Sequence, residues 1–219
     1  MMFKKQKWLF VCLALIFATI ACYLPFAEQD GNHLNQEQNI EILNGRSESR
    51  PFGDAQVEMT VPGSYIVGFS GSDLAPLVDE LGAEIGPEAA ILQQLFRNQQ
   101  DNILFWGYES VGSGLPPVSF VVMKNDEFAA LPLGIVATFA DTLLGADVNV
   151  IQQDRLTLGG RDTLRLVTMS PSAGPDFYQV AYIFKESGSL FVVGFVVSQS
   201  GVAGQLPIFN SIVSSLKVV

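Results

Sequence analysis

The chain has 219 residues, 48% of them hydrophobic and 16% charged, with a formal net charge of −10. This composition excludes a disordered chain and is long enough for one domain with a substantial core. The acidic excess repels phosphate backbones and anionic headgroups, which sets aside nucleic acid and charge-driven lipid adsorption.

Residues 1–21 have a signal-peptide layout, with a basic start (Lys4, Lys5, Lys7) and an apolar run from Trp8 to Ala21 that is short for a membrane span. Without those lysines the balance is 9 basic residues against 22 acidic, a net charge of −13. The run ends Ala18-Thr19-Ile20-Ala21-Cys22, which resembles a bacterial lipobox: a small residue directly before a cysteine. The resemblance implies that Cys22 is lipidated and becomes the new N-terminus, although the usual leucine three residues earlier is Thr19 here. Two other outcomes stay open. Trp8–Phe26 remains as an uncleaved anchor, or cleavage after Ala27 releases a secreted protein. All three put the domain outside the cytoplasm, and lipidation predicts the extracytoplasmic face of the cell membrane.

Cys12 and Cys22 are the only cysteines and His33 the only histidine. The folded part is therefore expected to lack disulfides, thiolate or Ser-His catalysis and histidine metal sites. No cofactor, metal or catalytic residue is expected, and the chain is read as not an enzyme. Residues 22–54, rich in Asn, Gln, Glu, Ser and Gly, read as a disordered tether, and residues 55–219 as a single domain.

Within the domain, Gln56–Val61 alternates and Tyr65–Phe69 follows as a second strand. Leu74, Leu77, Val78 and Leu81 have helical spacing, and a second helix runs from Pro87 to about Asn98. Asn102–Glu109 and Val118–Lys124 read as a strand pair. Pro132 opens a helix with Ile135, Val136, Phe139, Leu143 and Leu144 on its apolar face. Val148–Leu158 and Thr163–Met169 flank a Gly159-Gly160 turn, and Asp176–Lys185 pairs with Leu190–Val197. That last segment is apolar on both faces and reads as a central strand. Pro207 then opens a terminal helix with Ile208, Phe209, Ile212, Val213 and Leu216 inward and Asn210, Ser211, Ser214 and Ser215 outward. Short turns between strands and helices in blocks predict an α+β fold with an antiparallel sheet.

The stretch Leu158-Gly159-Gly160-Arg161-Asp162-Thr163-Leu164-Arg165, the aromatic hairpin after it and the ending Phe209-Asn210-Ser211-Ile212-Val213-Ser214-Ser215-Leu216 form a pattern. Val61-Pro62-Gly63-Ser64-Tyr65 adds to it, with Tyr65 where tryptophan is common. Together they resemble the PsbP-like or Mog-type α/β/α sandwich of photosystem extrinsic proteins and DcrB-like bacterial lipoproteins, over roughly Val57 to Val219. The resemblance implies an antiparallel β-sheet flanked by α-helices. It supplies no function and no binding residue.

Candidate sites are few. Asp73, Asp79, Glu80, Glu84 and Glu88 read as a solvated acidic face. Arg161 and Arg165 share a strand side and, with Arg155, have the make-up of an anion site, against ordinary pairing with acids. Tyr178, Val180, Tyr182 and Phe184 share one face and line either an apolar pocket or the core. The Gly112–Pro117 loop presents Leu115 and two prolines. The expected function is a lipid-anchored, non-enzymatic module binding an envelope protein partner, with a carrier of a small apolar ligand as the alternative.

Overall fold

The structure is a computed structural model that describes residues 45–52, 54–69, 102–109, 118–126, 129–138, 149–169 and 177–219. Ten strands and two helices lie in these segments. The strands are β1 (Arg46–Phe52), β2 (Ala55–Val61), β3 (Tyr65–Phe69), β4 (Ile103–Glu109), β5 (Ser119–Asn125), β6 (Asn149–Leu158), β7 (Arg161–Met169), β8 (Phe177–Glu186), β9 (Ser189–Ser198) and β10 (Lys217–Val218). The helices are α1 (Leu133–Thr138) and α2 (Val202–Ser215).

Seven strands form one sheet in the order β3-β4-β5-β9-β8-β7-β6, every pair antiparallel. The apolar run Leu190–Val197 is its middle strand, as its two-sided hydrophobicity requires. Odd-numbered β9 residues Phe191, Val193, Phe195 and Val197 point to one face, with Val180, Tyr182 and Phe184 of β8 and Phe120 and Val122 of β5. That face carries the main core. Leu164 and Leu166 of β7 and Ile183 of β8 point to the opposite face, where Leu133 and Val136 of α1 cover them.

Two layers cover the main-core face. One is α2, whose Phe209, Ile212 and Val213 are fully buried. The Phe209 ring stacks on Phe195 at 4.0 Å between centroids and 11° between planes. The other is a separate three-stranded antiparallel sheet, β1-β2-β10. Val57, Met59 and Val61, the inward residues of β2, join the same core. Ser215 ties the two layers, because its Oγ accepts the Thr60 amide at 2.9 Å.

The α/β/α sandwich with flanking helices is therefore corrected. Among the described residues the fold is mostly antiparallel strand in two sheets, with one helix longer than a turn or two. The physical reason lies in β2. Its alternation marks a half-buried strand, but β1 and β10 satisfy its backbone groups, so it closes its own sheet. The helices expected around Leu74–Leu81 and Pro87–Asn98 lie outside the described residues.

Three smaller corrections follow. The tether does not reach Asp54, because Arg46–Phe52 is a strand paired along its whole length with β2. Pro207 does not open the terminal helix; α2 starts at Val202, five residues earlier, and Pro207 sits inside it. Val202 and Leu206 extend the apolar stripe backwards, and burying them offsets the hydrogen bond that the proline ring removes. Asn210 does not face away but is buried. On α1, Val136 is buried as expected, whereas Ile135 is exposed.

Candidate functional site

Arg161 and Arg165 do lie on one side of β7, the side covered by α2, and each is already engaged. Arg161 reaches the C-terminal end of α2, donating to the Val213 carbonyl at 2.6 Å and to the Leu216 carbonyl. It also pairs with Glu186 at 3.4 Å and lies over the Phe184 ring at 4.3 Å. A cation there meets the carbonyls that a helix leaves unpaired and the negative end of its dipole. Burial pulls this guanidinium below its ordinary pKa, and Glu186 acts in the opposite direction. Arg165 gives Nε and Nη2 to Asp154 Oδ2 at 3.1 and 2.8 Å, and Gln152 adds a third donor to the same oxygen at 2.9 Å. Arg155 pairs with Asp162 in solvent at 3.2 Å. The three arginines are spread over three carboxylates and converge on no common point, so they form no anion site.

Tyr178, Val180, Tyr182 and Phe184 are likewise packed against the main core. Val180, Tyr182 and Phe184 have no exposure. Phe195 fills the space beside Tyr182 in an edge-on contact at 5.8 Å. The Tyr182 hydroxyl, 28 residues from its partner, donates to Asn210 Oδ1 at 2.8 Å. This is how a phenol and an amide are buried together at little cost.

The opposite face of the sheet differs. Register places Ser119 of β5 against Val196 of β9, and Val196 against Gln179 of β8. Gln179 in turn opposes Thr168 of β7. Gln179 is 6% exposed, and its Nε2 has no partner. Ser119 Oγ, two strands away in the same row, is also buried without a partner. An unmet buried donor carries its full desolvation cost, about 1–3 kcal/mol. In the next row, Gly194 and Ala181 lie side by side in β9 and β8. Ala181 and neighbouring Val192 sit at the margin of the α1 cluster and stay partly accessible although their strands are interior. Sequence alternation puts Ser119 and Gln179 on one face, but only the strand order brings them into one row.

Among the described residues no group of three or more His, Cys, Asp or Glu side chains is placed to hold a metal ion. No helix there is long and apolar enough to cross a membrane. Cys22, His33, the acids from Asp73 to Glu88 and the Leu115 loop lie outside the described residues.

Two buried phenols set an alkaline limit. Burial raises the Tyr65 hydroxyl well above its ordinary value, and Glu109 adds to the effect. Burial does the same to Tyr182, with Arg165 opposing it. Their contribution to stability is complete below the unfolded tyrosine pKa of about 10. It is lost as pH climbs from there toward the raised folded values, because only the unfolded chain ionises. Tyr65 Oη has no hydrogen-bond partner. Tyr65→Phe should therefore leave the melting temperature at pH 7 unchanged or higher, and should flatten its decline above pH 10. A clear loss at pH 7 would mean that the hydroxyl is paired.

No protein-family model matches the chain, and no curated protein matches it in sequence. Solved structures do resemble it. The solution structure of cyanobacterial PsbP (CyanoP) from Synechocystis is 11% identical with a TM-score of 0.47, covering 85% of this chain and 99% of that one. LpqN of Mycobacterium tuberculosis, described as involved in cell envelope biogenesis, is 13% identical with a TM-score of 0.45, covering 81% and 92%. PA94 of Pseudomonas aeruginosa, a protein of unknown function, is 7% identical with a TM-score of 0.44, covering 78% and 96%. At these identities and TM-scores the likeness carries over neither a function nor the role of any residue.

Proposed function

We propose that this chain is an exported, lipid-anchored, non-enzymatic binding module on the extracytoplasmic face of a membrane, of the DcrB-like lipoprotein kind. The observation that carries the reading is the N-terminal order of three lysines, an apolar run and Ala21-Cys22. The polar stretch that follows spaces the domain from the bilayer, and an envelope protein is its first candidate partner. Cys22→Ser should abolish acylation and leave the full-length precursor in the membrane fraction. Intact-mass measurement of both chains reads this directly. A wild-type mature mass with no acyl group overturns the reading.

A second reading, a carrier of a small apolar ligand, is favoured by one observation. On the sheet face opposite α2, Ala181 and Val192 of interior strands stay partly accessible, whereas the unmet donors of Gln179 and Ser119 nearby are buried.

A further inference from the structure

We infer that the outer edge of β6 is a docking site for one extended strand of a partner protein, added antiparallel with a carboxylate opposite Arg155, and that the same edge refuses a second copy of this chain. The inference rests on the reading of the chain as a module that binds a protein, and names the surface and the partner's chemistry.

Among the described residues the two sheets end in four edge strands, β3, β6, β1 and β10. Edges that must stay single are blunted by shortness, proline or inward charge. β10 has two residues and β3 five. β1 carries Pro51 and turns Arg46 and Arg50 onto β3, at the Tyr65 carbonyl and over the Phe69 ring. β6 has ten residues with neither proline nor glycine, and its Gln153, Arg155 and Thr157 are exposed.

The turn before β7 decides which backbone groups of β6 face outward. Gly159 and Gly160 both have positive φ, and such a two-residue turn closes on a hydrogen-bonded pair, Leu158 with Arg161. Bonded and non-bonded pairs then alternate along an antiparallel ladder. Leu158, Leu156, Asp154 and Gln152 therefore spend their backbone groups on β7. Those of Thr157, Arg155 and Gln153 point away from it, and among the described residues no strand pairs with them. The bulge at Ile151 ends this regular stretch. A strand laid antiparallel along it meets an N–H and a C=O from each of three residues, the footing on which strand addition rests.

Charge decides which strand fits. For a second copy, the register that uses all three residues is centred on Arg155 and sets Arg155 against itself. Moving the centre by one residue either way gives up one bonded pair, and moving it to Asp154 sets that carboxylate against itself. Like charges directly opposite each other destabilise a sheet. Asp154 is spent on Arg165, which gives it two hydrogen bonds, so Arg155 is the charge that an arriving strand meets. Arg155 holds Asp162 at 3.2 Å, with the two side chains 58% and 60% exposed. Water screens such a pair, which leaves the guanidinium available to a carboxylate directly across the new ladder.

The test uses the full chain in detergent micelles, with exchange of single backbone amides followed by NMR. The arriving strand is supplied by the Arg155→Glu chain, unlabelled, added to ¹⁵N-labelled wild type. In wild type alone, the amides of Gln153, Arg155 and Thr157 should exchange fast at every protein concentration, and those of Gln152, Asp154 and Leu156 slowly. The Arg155→Glu chain should slow the three fast amides about tenfold once roughly nine-tenths of the edges are occupied, since only empty edges exchange. Arg155→Glu labelled and alone should show no such protection, because its carboxylates then face each other. Gln153→Pro in the labelled chain keeps every bond to β7 and blocks the added strand. It should melt near the wild-type temperature, and its Arg155 and Thr157 amides should stay fast. Slow exchange of the three amides in dilute wild type means that the edge is already covered, and refutes the site. Protection that grows with wild-type concentration makes a second copy the occupant and refutes it too, as does no protection by the Arg155→Glu chain. A Gln153→Pro chain that fails to fold puts the Gln153 amide in the β7 ladder and refutes the register. Any of these failures moves the partner to another surface, whereas the anchored-module reading stands or falls separately on acylation of Cys22.

Discussion

Phe209→Ala should lower the unfolding free energy by about 3–5 kcal/mol, the usual cost of emptying an aromatic site in a closed core. Phe209 has no exposure and stacks on Phe195, which also meets Tyr182 at 5.8 Å and Phe120 at 6.0 Å. Removing the ring therefore loosens α2 and the centre of the sheet together. Against a whole-domain stability of about 5–15 kcal/mol, the loss is large. Gly204→Ala in the same helix gives the contrast. Gly204 is exposed and nothing lies within 4 Å of an added Cβ, so alanine should stabilise by about 0.5–1 kcal/mol. Urea unfolding of the two variants checks both signs. A wild-type midpoint for Phe209→Ala would mean that α2 is not docked.

Gly159→Ala should be the next most damaging change, costing roughly 3 kcal/mol. Gly159 has φ +57, where a side chain costs about 1–2 kcal/mol. Its added Cβ would also stand 2.5 Å from the Ser214 carbonyl oxygen, a backbone atom that moves only if the end of α2 moves. Such overpacking adds about 1–3 kcal/mol. Gly160, next in the same turn, has φ +78 but nothing within 4 Å of a Cβ. Gly160→Ala should then lose only the conformational part. Equal losses at the two positions would show that the Ser214 contact does not matter.

What the sequence displayed depended on whether the cause was local. The two-sided apolar run of β9, the β2 alternation and the Gly159-Gly160 turn are all written in neighbouring residues, and each stands where expected. β1 was illegible because Arg46–Pro51 buries no side chain. Its backbone pairing with β2 and surface contacts such as Arg46 to the Tyr65 carbonyl, Ser49 to Gln56 and Arg50 over the Phe69 ring hold it, and none of these leaves a mark on composition. The destinations of Arg161, 52 and 55 residues away at Val213 and Leu216, and of Tyr182 at Asn210 depend on how α2 docks. The Gln179 and Ser119 row depends on strand order, with β9 between β5 and β8, which no local spacing encodes.

The way β1 joins the domain also decides how it bears load. Chain preceding Arg46 pulls at the end of the β1–β2 hairpin where Arg46 opposes Val61, and the rest of the domain continues from Val61 at that same end. Force applied through the residues before Arg46 therefore enters and leaves at the open mouth of the hairpin. It opens the hydrogen bonds one after another instead of shearing them together. Peeling β1 exposes none of Val57, Met59 or Val61 to the pull, because these face the main sheet and β10 still holds the other edge of β2. At about 3.5 Å per extended residue, its seven residues would pay out about 24 Å of slack. Under tension the strand is a low-force extension spring, paying out before the domain itself begins to yield.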